Sequence, residues 1–157
     1  MSAVEQRPAY DWEHARIGDV AGAVTVEITA DAVRQFNTTQ QQAAGLPIEP
    51  DDPDLLAVPP VMVRVFAPLR RRELVAENGA EYPNHPTPAI RWSCRFFNEP
   101  KVGDRIVSVT RVQDKYIRKD RHFLEWRVDA NRNDGTPVAE FTYVNLWDRG
   151  RAEDRNR

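Results

Sequence analysis

The chain has 157 residues, 41% hydrophobic and 29% charged, with a formal net charge of −2. That balance suits one globular domain with one core and excludes a disordered chain, while the small charge gives no general attraction to nucleic acid or anionic membrane. A single cysteine, Cys94, excludes an internal disulfide framework and a multi-thiolate metal site.

Residues 1–12 are polar and lack the apolar core of a secretory signal. No run approaches the roughly 18 apolar residues of a membrane helix, so a cytoplasmic protein is expected. Residues 1–21 read as an irregular lead-in. Gly22–Ile28 alternates small or apolar with polar residues and predicts a short strand. Thr29 can cap a helix over Ala30–Gln42, with Asp31 in its first turn and Gly45 placed to end it. Leu46–Pro60 holds five prolines and predicts a long loop, of the kind that is usually functional or mobile.

A second, longer helix is expected from Pro60 to Glu77, with Met62, Val65, Phe66 and Leu69 at i, i+3, i+4 and i+7. Pro68 lies inside that pattern and should kink or split it, because it removes the hydrogen bond to the Arg64 carbonyl. Asn78-Gly79 ends the helix. The second half alternates with a period of two. Ile90, Trp92, Cys94 and Phe96 share one face of a first strand, and Arg105–Ile117 and Arg121–Asn131 follow. Asn133-Asp134-Gly135 is a hairpin turn into a last strand over Thr136–Trp147. A sheet with one apolar face must cover it, and the long helix is the natural cover. The expected class is α+β, a curved antiparallel sheet around one central helix.

Several of these segments occur together in a known family. Val58-Pro59-Pro60 precedes the long helix, and Phe96…Pro100-Lys101-Val102-Gly103-Asp104 opens the meander. Asp114-Lys115-Tyr116-Ile117-Arg118 and Asn133-Asp134-Gly135 follow in order. The set, over roughly residues 12–147, resembles the MaoC-like hot-dog dehydratases, in particular the FAS1-like type found as the N-terminal half of two-domain or two-subunit enzymes. The resemblance implies a single hot-dog domain over residues 1–148, with the charged 149–157 as a disordered tail. It also implies dimers of hot dogs and (R)-specific hydration or dehydration of an acyl chain on coenzyme A or acyl carrier protein. No metal or redox cofactor belongs to that chemistry.

Hydration of an enoyl thioester needs a base for water, an acid for the α-carbon and donors for the thioester oxygen. Active relatives supply the first two from an Asp-x-Asn-Pro-x-His segment after the first helix. The corresponding residues here are Phe36-Asn37-Thr38-Thr39-Gln40-Gln41-Gln42, with no carboxylate and no imidazole. Amides are not general bases near neutral pH. The leading expectation is therefore a homodimer or heterodimer in which a partner hot dog carries the Asp/His pair. A chain with its own relocated site, a thioesterase or natural-product enzyme using Glu73 or Glu77, and a non-catalytic acyl-binding domain remain as alternatives.

Candidate catalytic residues are His85, in Tyr82-Pro83-Asn84-His85-Pro86, and Asn37. Against these stand a loop histidine bonded to backbone and a helix-surface amide. Candidate substrate-binding residues are Met62, Val65 and Phe66 along the helix, Arg70 and Arg71 in the Arg70-Arg71-Arg72 run, and Arg91 on the first strand. The arginines suit phosphates or an acidic carrier, or else a solvated helix end. His14 is expected to be exposed, His122 at a strand edge, Asp104 in a turn and Cys94 buried and inert.

Overall fold

The computed structural model describes residues 6–44 and 56–148. Gly45, most of the proline-rich loop and the 149–157 tail, each given a reading above, lie outside them. β1 (Val24–Glu27) leads into α1 (Ala30–Ala44), and the Ala32 N–H donates to Thr29 Oγ1 at 3.1 Å, the expected cap. A 3₁₀ turn over Pro60–Met62 runs into α2 (Val63–Phe66), and α3 (Arg71–Glu77) follows after a break. β2 (Ala89–Phe96), β3 (Arg105–Arg118), β4 (Arg121–Arg132) and β5 (Pro137–Leu146) complete an antiparallel sheet in the order β1-β3-β4-β5-β2.

The long helix is thus present in pieces, and Pro68 is the reason. A residue before proline is driven out of the α region, and Ala67 sits at φ −132°, ψ 72°. The break leaves polar backbone to satisfy, and the buried Thr110 hydroxyl on β3 does so. It accepts from the Arg70 N–H at 3.1 Å and donates to the Pro68 carbonyl at 3.5 Å. Asn78 and Gly79, at φ +74°, close α3 as expected.

The helical segment lies on the apolar face of the sheet throughout. Met62, Val63, Phe66 and Ala67 pack with Ile106, Val128, Val138 and Phe141. Leu74 and Val75 pack with Val112, Leu124, Trp126 and Trp147. Val65, expected in this face, is instead 48% exposed. The buried stripe is centred between Met62/Phe66 and Val63/Ala67. Alternating valines at 61, 63 and 65 could not specify that choice.

The lead-in has no regular element but is part of the core. Tyr10 is fully buried, its OH donates to Asp19 at 2.5 Å, and the Trp147 indole N–H donates to the Tyr10 carbonyl at 2.9 Å. Burial first, then the bond to and charge of Asp19, raise the Tyr10 pKa well above its ordinary value. His14, expected to be exposed, is half-buried with its ring 5.5 Å from that of Tyr10. Two turns join the long strands. Asn133-Asp134-Gly135 forms as expected, with Gly135 at φ +91°. The β3–β4 turn uses Lys119 and Asp120, both at positive φ, without the glycine that would mark it in a sequence. The whole is the hot-dog arrangement that the resemblance implies.

Because Thr110 alone serves both sides of the break, Thr110→Val keeps the shape but strands the Arg70 N–H. We expect a loss of about 1–3 kcal/mol in urea-denaturation stability. A Thr110→Ser variant, which keeps the hydroxyl, should lose less.

Candidate functional site

Two features of the molecule can meet a ligand or a partner. The first is a cleft of about 800 Å³ between the start of α3 and the segment 82–87. Arg71, Arg72, Tyr82, His85 and Thr87 line it, with Glu73 as its acid. The loop is tied down from both sides. Tyr82 OH and Thr87 Oγ1 lie 3.2 Å apart, and the Asn145 amide on β5 donates to the Thr87 carbonyl at 2.6 Å. Arg72 stacks its guanidinium over the Tyr82 ring at 4.4 Å. Arg71 lies over Tyr143 at 5.7 Å, and its Nη1 is buried with no hydrogen-bond partner among the described residues.

The structure brings His85 and Arg71 together in this cleft and leaves the other sequence candidates elsewhere. His85 Nδ1 contacts the Pro86 carbonyl at 3.2 Å. Arg70 turns away, donating to the Gly22 carbonyl at 2.8 Å and lying 4.0 Å from Glu77. Glu77 itself accepts from the Gly22 N–H at 2.6 Å, so this pair braces the lead-in against α3. Arg91 pairs with Glu125 at 3.7 Å on the sheet. Asn37 is half-buried on α1, next to Phe36, which packs on the core. Met62 and Phe66 are wholly interior, at the groove floor rather than its surface. Tyr82, Tyr143 and Asn145 were not singled out from sequence. Their neighbourhood depends on how β5 sits under α3, which no local pattern reports.

The second feature is β2. It is an edge strand, bonded to β5 on one side only. Its apolar row is open: Ile90, Trp92 and Phe96 are 55%, 42% and 39% exposed. Cys94, expected to be buried, is half-buried in the same row. Burial and, after it, the Glu140 charge raise its pKa, which disfavours the reactive thiolate. Asp104 holds a turn as expected, accepting from the Lys101 N–H at 2.9 Å and from Arg132 at 3.0 Å.

Among protein-family models, the FAS1-like, dehydratase domain region matches residues 15–141. The chain belongs to that family. Three solved structures share its fold. The C-terminally truncated HadBC (3R-hydroxyacyl-ACP dehydratase) complex from Mycobacterium tuberculosis is 13% identical, with a TM-score of 0.61 over 83% of this chain and 96% of that one. The ChsH1–ChsH2 complex from the same organism is 12% identical, with a TM-score of 0.57 over 82% and 83%. A MaoC-like dehydratase from Rhodospirillum rubrum is 17% identical, with a TM-score of 0.59 over 89% and 98%. A search of curated proteins finds no match. Among the described residues, no helix is long and apolar enough to cross a membrane.

A carboxylate–imidazole contact does exist in this FAS1-like domain, away from the cleft. His122 Nδ1 lies 3.1 Å from Asp148 Oδ1, with Trp12 edge-on to the ring at 4.8 Å. Asp148 also accepts from the His122 N–H at 2.7 Å and from Arg121, so it clasps the start of β4 to the end of β5. Burial raises the Asp148 pKa, but the His122 N–H, Arg121 and the His122 ring together outweigh it and hold the carboxyl below its ordinary value. A depressed carboxylate stabilises the fold above the unfolded pKa, and that contribution vanishes as pH falls through the folded value. Asp148→Asn should therefore lower thermal stability at pH 7 and make Tm less sensitive to pH below about 4, the unfolded carboxylate range.

Proposed function

We propose that this chain is the supporting half of an acyl-thioester hydratase or dehydratase, joined through β2 to a second hot dog that carries the Asp/His pair. The observation that carries the reading is the open β2 edge, with its unbonded side and exposed Ile90, Trp92 and Phe96. An apolar, unpaired edge strand is a surface for another strand. The HadBC and ChsH1–ChsH2 relatives are two-component complexes by name, which supports a hot dog of the same fold as occupant. The chemistry points the same way. The stretch Phe36–Gln42, which resembles the segment that carries acid and imidazole in active relatives, has neither, and the His85 cleft gathers two arginines beside its one imidazole and one carboxylate.

In this reading the chain contributes wall and carrier contacts, and the partner abstracts and returns protons. The helical segment of each unit and the seam between them bound the acyl slot. Asn37 offers an amide donor toward the thioester oxygen, a role that needs no ionisation. A thioesterase would have to use Glu73, which lines the cleft with His85, since Glu77 is committed to the Gly22 N–H and Arg70. A non-catalytic acyl-binding domain would share this geometry, so turnover decides between them.

The test pairs the full chain with a hot-dog chain that carries an Asp-x-Asn-Pro-x-His segment, assaying crotonyl and longer enoyl thioesters. The chain alone should be inactive and the pair active. Trp92→Asp or Phe96→Asp should abolish co-elution and lower turnover at least about 10-fold, as loss of an interface anchor does. High turnover by the chain alone, or full activity of both variants, would reject the reading. Acyl-CoA binding without conversion in every pairing would assign the non-catalytic role instead.

A further inference from the structure

Resting on the acyl-thioester reading, we propose that the cleft at Arg71, Arg72 and His85 is the phosphate site for the carrier arm, taking the phosphate ester of phosphopantetheine or coenzyme A. Three observations converge. The first is that the cleft gathers two guanidiniums and an imidazole against one acid, Glu73. Guanidinium forks match phosphate oxygens two at a time, and an imidazole adds a further donor.

The second is that this cationic group is pre-ordered. Arg72 rests on Tyr82, Arg71 rests over Tyr143, and the 82–87 segment is anchored to β5 through Thr87 and Asn145. Further along, the Leu146 N–H donates to the Pro88 carbonyl at 3.0 Å. A flexible surface arginine would lose rotamer freedom on binding. These lose less, because the aromatic faces already hold them.

The third is the unsatisfied polarity beneath the cleft. Arg71 Nη1, Asn145 Oδ1 and Trp126 Nε1 are all buried, and none has a hydrogen-bond partner among the described residues. They gather around Tyr143: Arg71 lies over its ring, Trp126 is its register partner on β4, and Asn145 follows two residues along β5. Buried polar atoms are ordinarily paired, and a buried charged donor left unpaired is the costliest case. Arg71 Nη1 is turned into the interior, so a phosphate in the cleft meets the remainder of the guanidinium, which lines it. The same site gives His85 a role other than proton transfer: it binds an anion, its Nδ1 side facing the Pro86 carbonyl. Arg70, despite its place in the same run, takes no part, because Gly22 and Glu77 hold it on the opposite side.

The experiment titrates the full chain with coenzyme A, dephospho-coenzyme A, pantetheine and inorganic phosphate by calorimetry, for wild type and for Arg71→Gln, Arg72→Gln, Arg71→Lys and Arg70→Gln. Coenzyme A should bind, and Arg71→Gln should weaken it by about 10- to 100-fold, the loss of one or two charge-assisted hydrogen bonds. Pantetheine affinity should not change. Arg71→Lys should recover part of the loss, which separates charge from folding, and Arg70→Gln should bind like wild type. Equal affinity of coenzyme A and dephospho-coenzyme A assigns the phosphate next to pantetheine and supports the site; a loss with dephospho-coenzyme A places the 3′-phosphate there instead and overturns the carrier-arm assignment.

No binding of coenzyme A to the wild type, alone or paired, overturns it, as do unchanged affinities in both Arg71→Gln and Arg72→Gln. In the paired enzyme, Arg71→Gln should raise KM and leave kcat unchanged. Hydration indifferent to Arg71→Gln would reject the site and leave the dehydratase reading standing. Coenzyme A binding through Arg71 with no hydration in any pairing would do the reverse.

Discussion

The structure depends on one packing constraint: a proline-broken helical segment must lie along the apolar face of a strongly curved sheet. Met62, Val63, Phe66 and Ala67 fill one half of the groove, and Leu74 and Val75 fill the other. The break between them would be untenable in an apolar groove, since buried backbone polar groups demand partners. Thr110 answers that demand from the sheet side. A break that might weaken the domain thus re-aims α3. Its first residues diverge, Arg70 toward the lead-in and Arg71 toward β5. Helix, sheet and cleft are therefore one mechanical unit.

The two edges of the sheet are treated differently. β1 is four residues long, and the lead-in extends its edge through the Val20–Arg111 bridge. β2 is eight residues long, exposed along nearly its whole length and rich in apolar side chains. Soluble proteins rarely leave such an edge bare, because it invites uncontrolled pairing. On the outer face the chain is well protected: Arg111, Asp129, Arg127 and Glu140 alternate in sign across β3, β4 and β5. That contrast is what supports β2 as the partner-facing edge in the proposed function.

The division of labour proposed for the two hot dogs follows from what each surface can do. A helix that presents Asn37 cannot move a proton, but it can hold a carbonyl oxygen. A cleft with two arginines on aromatic faces is suited to holding an anion. The lead-in contributes as well, since Tyr10 and Trp147 lock it over the end of the groove, beside the Tyr82–His85 segment.

Strand periods, the Thr29 cap, the Asn133-Asp134-Gly135 hairpin and the split at Pro68 were legible in the sequence, because each is dictated by local stereochemistry within a few residues. The lack of carboxylate and imidazole in Phe36–Gln42 is likewise a plain matter of residue type. Tertiary structure alone decided the rest. Which valine of 61, 63 and 65 turns inward is decided by how the helical segment seats on the sheet, and Val63 is the one that does. The glycine-free turn at Lys119-Asp120 exists because two long strands close around it. Arg71 and His85 are distant from Tyr143 and Asn145 in the chain, and only the docking of α3 and the 82–87 segment on β5 makes them neighbours. Local propensities report conformation; the burial that joins remote segments into a site is a property of the packed whole.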